Sequence, residues 1–124
     1  MRLLVCGTRT FDDAEFLFRA LDNLAREHHI TVVIEGEAKG ADLLSREWAE
    51  ARGIPVEKYP ADWKLMKRSA GPQRNRQMIV QGKPDFVAAF LDIPRSESKG
   101  TANMIGQAER AKVHVEIYQS LRSL

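Results

Sequence analysis

Five short apolar runs alternate along the chain with stretches whose apolar residues recur at helical spacing, the pattern of a βαβ architecture. The first run, 3–6, leads into a helix predicted over 13–28, with Leu17, Ala20, Leu21 and Leu24 on one face. Asp12 suits its N-cap, Glu15 completes a capping box, and Phe11 with Phe16 forms a hydrophobic staple. The β-branched run 31–34 is the second strand. The helix after it, 41–52, turns Leu44, Trp48 and Ala51 inward, and Gly53 ends it. A third strand at 56–59 is followed by a loop holding Pro60 and Trp63. A short helix, 72–81, opens on Pro72 and is closed by Gly82. Strand 86–91, helix 102–111 and strand 113–117 complete the alternation.

The same patterns set the order of the strands. The first, second and fourth runs are almost continuously apolar, so helices cover both their faces. The third and fifth alternate polar with apolar, as edge strands do. Right-handed crossovers then give a single Rossmann-like α/β domain of three layers over residues 1–124, with a mainly parallel five-stranded sheet of order 3-2-1-4-5. The order reverses between strands one and four, and ligands of open α/β sheets bind in that crevice, at the C-terminal ends of the strands.

Composition narrows the function. A chain of 124 residues, 44% hydrophobic and 29% charged, is an ordinary globular protein rather than a disordered, collagenous or coiled-coil one. The formal charge of +2 is too mild to require nucleic acid as a partner. Cys6, the single cysteine, has no internal disulfide partner, which points to a reducing, cytoplasmic setting. The apolar run at 3–6 is too short for a signal-peptide core, and nothing approaches the ~20 apolar residues of a membrane span. No Cys/His cluster with ligand spacing occurs, so no metal is expected. Neither a Walker loop nor a GxGxxG fingerprint occurs, so no cofactor is expected either.

Candidate chemistry gathers in four loops that the topology brings to one edge. After strand one come Gly7, Thr8 and Arg9, either a phosphate- or ribose-binding turn or a tight turn with a surface arginine. After strand two, Gly36, Glu37, Ala38, Lys39 and Gly40 open directly into a helix beginning Ala41-Asp42, an anion cradle by composition. Asp42 has a plainer reading, as a first-turn carboxylate complementing the helix dipole. After strand three stand Asp62 and Trp63, then Gly71, Arg74 and Asn75. Helical spacing puts Arg74 and Asn75 one turn before Met78 and Ile79, on the inward stripe, while Arg76 faces solvent. Trp63 is either a lid for a base or ordinary packing. After strand four, Lys99, Gly100 and Thr101 lead into the last helix, where Thr101 is placed to cap.

These segments resemble the SLOG superfamily, and within it the small YspA-like group. The pieces that carry the resemblance are Val5-Cys6-Gly7-Thr8-Arg9, the stretch from Gly36 to Asp42, Ala61-Asp62-Trp63, Ala70-Gly71-Pro72 with Arg74-Asn75-Arg76-Gln77-Met78, and Gly100-Thr101. They stand in the order of the family and cover nearly the whole chain. The resemblance implies a Rossmann-like fold that binds nucleotides or nucleotide-derived signals. Relatives include the LOG phosphoribohydrolases, the DNA-processing protein DprA, and defence-system sensor domains that recognise ADP-ribose derivatives. The LOG enzymes carry a PGGxGTxxE motif with a catalytic glutamate. Here the paired glycines are absent and Met104 stands at the glutamate's place. Arg74 matches the catalytic arginine of those enzymes.

Three functions follow as expectations. The first is a sensor or sequestering protein for a nucleoside monophosphate or an ADP-ribose derivative. In it, backbone at Gly36–Gly40 and Gly100–Thr101 holds phosphate, helped by Arg9, Lys39 and Lys99, and Asp42 or Asp62 takes ribose hydroxyls. The second is a hydrolase of an N-glycosidic or phosphate bond, with Asp62 or Asp42 as base and Arg74 steadying phosphate. The third is single-stranded DNA binding. The apolar faces of the first and last helices would also permit a homodimer.

Overall fold

A computed structural model describes residues 1–120. Its elements run β1 (Arg2–Gly7), α1 (Ala14–Glu27), β2 (Val32–Glu35), α2 (Ala41–Ala51), β3 (Val56–Lys58), α3 (Trp63–Met66), α4 (Ala70–Val80), β4 (Phe86–Leu91), α5 (Lys99–Arg110) and β5 (His114–Gln119). Single 3₁₀ turns sit at Lys67–Ser69 and Arg95–Glu97. Among the described residues the strands form one sheet of order β3-β2-β1-β4-β5, and every neighbouring pair is parallel. This is the Rossmann-like order expected from the strand patterns.

Alternation along each central strand divides the core into two layers. Leu3 and Val5 of β1, Val33 of β2 and Phe86, Ala88 and Phe90 of β4 point to the face covered by α1 and α2. Leu4 and Cys6, Ile34, and Val87, Ala89 and Leu91 point to the face covered by α4 and α5. Helices α1, α2, α4 and α5 therefore sandwich the sheet, and β1, β2 and β4 are buried almost throughout. Strands β3 and β5 lie at the edges and stay partly exposed. No helix among the described residues is long and apolar enough to cross a membrane.

Several local expectations shift, each for a physical reason. The cap of α1 is Asp13, not Asp12: its carboxylate accepts the Phe16 N–H at 3.1 Å. The turn before it is tighter than the spacing suggested, with the Phe11 N–H donating to the Thr8 carbonyl and the Phe11 ring buried. Phe11 and Phe16 still meet, 6.2 Å between centroids, and both pack on Phe90. The inward stripe of α2 is Ala41, Ser45, Trp48 and Ala49, which leaves Ala51 exposed, one position past the face. Helix α4 starts at Ala70 because the preceding 3₁₀ turn runs into it. Pro72 is tolerated there because first-turn N–H groups need no acceptor. Helix α5 starts at Lys99, and its first bond runs from the Ala102 N–H to the Ser98 carbonyl. Thr101 is therefore a buried first-turn residue and not the cap. The segment read as loop at Trp63 is a short helix capped by Asp62.

Two glycines show how tightly the sheet edge is built. A Cβ on Gly7 would stand 2.2 Å from the Phe90 carbonyl oxygen and 2.6 Å from the Ala41 Cβ, so β1, β4 and α2 meet across a hydrogen atom. Gly53, after α2, has φ +69 and no neighbour in reach of a Cβ, so only its left-handed backbone asks for glycine. Gly7→Ala is expected to lower unfolding free energy by roughly 2–3 kcal/mol, and Gly53→Ala by roughly 1 kcal/mol. Urea denaturation of both variants checks the ranking, which a milder Gly7 effect would overturn.

Candidate functional site

The cleft begins where β1 and β4 part. Beyond Gly7, the Thr8 N–H donates to the Phe90 carbonyl at 3.0 Å. The Thr8 hydroxyl donates to Asp92 Oδ1 at 2.6 Å, and the Thr10 hydroxyl to the same oxygen at 2.8 Å. Asp92 thus ties the loop after β1 to the end of β4. Thr8 is buried in this lock, while Arg9 reaches out over the Trp63 ring, 5.5 Å from its centroid.

The turn between β2 and α2 is closed around carboxylates of its own chain. Asp42 Oδ2 accepts the Gly36 N–H at 3.1 Å and the Ala38 N–H at 3.2 Å. Glu35 accepts the Glu37 N–H at 2.6 Å and the Arg46 guanidinium at 3.0 Å. Successive N–H groups of the expected anion cradle are therefore already bonded to carboxyl groups of the chain itself. Glu37, at φ 60, pairs with Arg46 at 3.0 Å, and neither it nor the exposed Lys39 stands on the cleft wall. Gly40 serves the fold: its φ is +82, and a Cβ there would lie 2.3 Å from the Thr8 carbonyl oxygen.

From this turn a polar belt crosses the edge of the sheet. Arg74 of α4 lies over Gly36, where a Cβ would be 2.6 Å from Nη1, and donates to the Gly36 carbonyl at 2.5 Å. Its Nε donates to Asn75 Oδ1 at 3.1 Å. The Asn75 amide donates in turn to the Gly100 carbonyl at 3.2 Å and to Asn103 Oδ1 at 3.1 Å, both on α5. Gln107 closes the belt, donating to Asn103 Oδ1 at 2.8 Å and to the Pro72 carbonyl at 3.1 Å. Burial lowers the Arg74 pKa, opposed by the charge of Asp42, so two partly desolvated groups of opposite sign face each other.

Above the belt lies a cleft of about 640 Å³, within the usual range for small-molecule sites. It collects Gly7, Thr8 and Arg9 from the first loop and Ala38 and Asp42 from the second. Trp63 comes from α3, Gly71, Arg74 and Asn75 from α4, and Lys99, Gly100 and Thr101 from α5. Gly36 lies beneath Arg74, off the cleft wall. Asp62 is also off it: its carboxylate caps α3 by accepting the Leu65 N–H at 3.1 Å, and it borders a separate groove along α4. The floor is apolar and sulfur-rich, formed in part by Cys6, Met78 and Met104. Burial pushes the Cys6 thiol up, so it stays protonated and inert.

Sequence reasoning missed Arg68, Glu97 and Asn103 at this cleft. Arg68 and Glu97 belong to 3₁₀ turns that no hydrophobic period marks. Asn103 carried a usable signal, since it falls one turn after Lys99 and Gly100 on the same helix.

Asp42 is the group whose protonation this geometry controls. Burial pushes its carboxyl from 3.8 up to about 7, against the Ala38 N–H, the Arg74 charge and the Gly36 N–H, which hold it down. A raised folded-state pKa means that the folded chain keeps a proton the unfolded chain releases from about pH 4 upward. This contribution to stability is complete below pH 3.8 and is lost as the pH rises through about 7. It amounts to at most about 4 kcal/mol. In Asp42→Asn, whose Oδ1 can still accept both N–H groups, that slope disappears. Unfolding free energies measured from pH 4.5 to 8 should show the wild type falling relative to the variant, and parallel curves would refute the assignment.

Comparison with known proteins agrees with this architecture. The family model described as YAcAr, the YspA, cpYpsA-related SLOG family, matches residues 1–66. The Gene 61 protein of Mycobacterium phage D29 is 33% identical over 120 residues, covering 92% of this chain and 93% of its own. The X-ray structure of DNA processing protein A (DprA) from Streptococcus pneumoniae superposes with a TM-score of 0.71 at 17% identity, covering 94% of this chain. The chain spans about half of that protein, 49% of its length. With a family model matching residues 1–66 and a relative 33% identical over 92% of this sequence, this chain belongs to the YspA, cpYpsA-related SLOG family.

Proposed function

We propose that the protein binds a nucleotide-derived, phosphate-bearing small molecule in this cleft, a nucleoside monophosphate or an ADP-ribose derivative, as a sensor or sequestering protein. The observation that carries the reading is the N-terminus of α5. Among the described residues no side chain caps it, its first internal bond begins only at Ala102, and Lys99, Gly100 and Thr101 of its first turn all border the cleft. Free N–H groups and the helix dipole favour an anion there. Beyond its own helical turn, none of the described residues lies within 4 Å of a Cβ on Gly100, so a ligand can approach this backbone closely. Four cationic side chains, Arg9, Arg68, Arg74 and Lys99, border the cleft against two carboxylates, Asp42 and Glu97.

Binding is a better account than turnover. Met104 is buried in the floor beneath the phosphate position, where no proton can be exchanged. Asp42 is engaged by two backbone N–H groups, and Asp62 is spent on a helix cap outside the cleft. Of the carboxylates bordering the cleft, this leaves Glu97 as the one a hydrolase reading would recruit. A single buried thiol suits a reducing, cytoplasmic setting. The fold shared with a DNA-processing protein supports a second reading, single-stranded DNA binding. The net charge of +2 supplies few phosphate contacts for it, and a gel shift at low salt that stays flat would remove it.

Mass spectrometry of small molecules released on denaturing the purified protein is expected to find a nucleotide-type species near stoichiometry. Calorimetry against nucleoside monophosphates and ADP-ribose should give submillimolar binding. Lys99→Glu, at an exposed first-turn position, should weaken it roughly ten- to a hundredfold while leaving the melting temperature unchanged. An empty extract together with no submillimolar ligand would refute the proposal.

A further inference from the structure

The mouth of the cleft carries a feature that phosphate binding does not use. Trp63 is 49% exposed, an unusual cost for an indole, although it stands within a built wall: its Cη2 lies 3.5 Å from where a Cβ on Gly71 would be. The Arg9 guanidinium faces the same ring at 5.5 Å. Arg9 follows β1 and Trp63 opens α3 after β3, and both border the cleft that the α5 N-terminus also lines.

We infer that Arg9 and Trp63 form a clamp for a planar aromatic base, which the ligand presents at the end opposite its phosphate. Resting on the proposed function, this assigns the nucleobase of that ligand to two named side chains. An indole and a guanidinium are both flat, and both stack on π-faces without reading base edges. A base held between two planes needs about 7 Å, twice a contact of about 3.5 Å. The Arg9 Cζ stands 5.5 Å from the ring centroid, so the pair opens to admit a base, a movement within reach of a long, exposed arginine side chain. Clamping from both faces predicts strong preference for a base over none and weak preference among bases.

The protein reports on this clamp directly. Of its two tryptophans, Trp48 is fully buried and bonded to Asp22, so ligand-dependent changes in emission arise at Trp63. The test is calorimetry and tryptophan emission for four nucleoside monophosphates, ADP-ribose and ribose 5-phosphate, with wild type, Trp63→Leu and Arg9→Ala. Both side chains are exposed, and matching melting temperatures show that the variants are folded. In the wild type the base-bearing ligands should bind at least roughly tenfold more tightly than ribose 5-phosphate and quench emission. Trp63→Leu should bring the base-bearing ligands to within about threefold of ribose 5-phosphate, whose own affinity stays unchanged, whereas Arg9→Ala, which also removes a cation bordering the cleft, should weaken every ligand and narrow the same gap. Equal wild-type affinities for ribose 5-phosphate and the nucleotides would overturn the clamp and leave phosphate binding standing. Variants that keep the wild-type preference would overturn it too. Failure of every ligand to bind would overturn both the clamp and the function it rests on.

Discussion

The site is organised by a buried carboxylate that the protein supplies to itself. Asp42 accepts the N–H groups of Gly36 and Ala38, and this closes the turn between β2 and α2. Because the turn is closed in that way, the Gly36 carbonyl faces α4 and receives Arg74. Arg74 orients Asn75, and Asn75 reaches the first turn of α5 through Gly100 and Asn103. Each bond contributes about 1 kcal/mol net, but leaving any buried member unpaired costs more, so the belt holds as a unit. Two helices that share no direct sequence signal are thereby fixed relative to one another and to the sheet.

That belt decides which backbone donors stay unbonded at the sheet edge. The glycine-rich turn after β2 has the composition of an anion site, yet Asp42 and Glu35 take its N–H groups. Among the described residues, no carboxylate or other side chain caps the start of helix α5. Of two helix N-termini at the same sheet edge, one is closed from within and the other is open. Arginines and a lysine stand around an apolar, sulfur-lined floor in the same cleft.

Much of the fold was legible in the chain, and the reasons are local. Apolar runs at 86–91 and 3–6 announce central strands because a strand buried on both faces tolerates almost no polar residue. The polar alternation at 56–59 and 113–117 announces edges for the converse reason. Helix starts were less legible. The carboxylate that caps α1 stands one place after the one expected, since Asp12 and Asp13 are chemically the same and the Thr8–Phe11 turn chooses between them. In the same way, Thr101 has the chemistry of a cap, but burial against the cleft draws it into the first turn.

For the site, the sequence by itself determined which residue types reach the sheet edge, because parallel topology forces the loops after β1, β2, β3 and β4 to one end. Arg74 and Asn75 follow from helical spacing alone, as does the exposure of Arg76. Only the tertiary structure decided what each polar group is used for. Asp42, Glu35 and Asp62 satisfy backbone within the chain, whereas the donors of α5 and the faces of Trp63 and Arg9 stay turned toward the cleft. A hydrogen bond depends on the distance between groups far apart in the chain. Composition and period carry a residue's chemistry and its face, but not that distance.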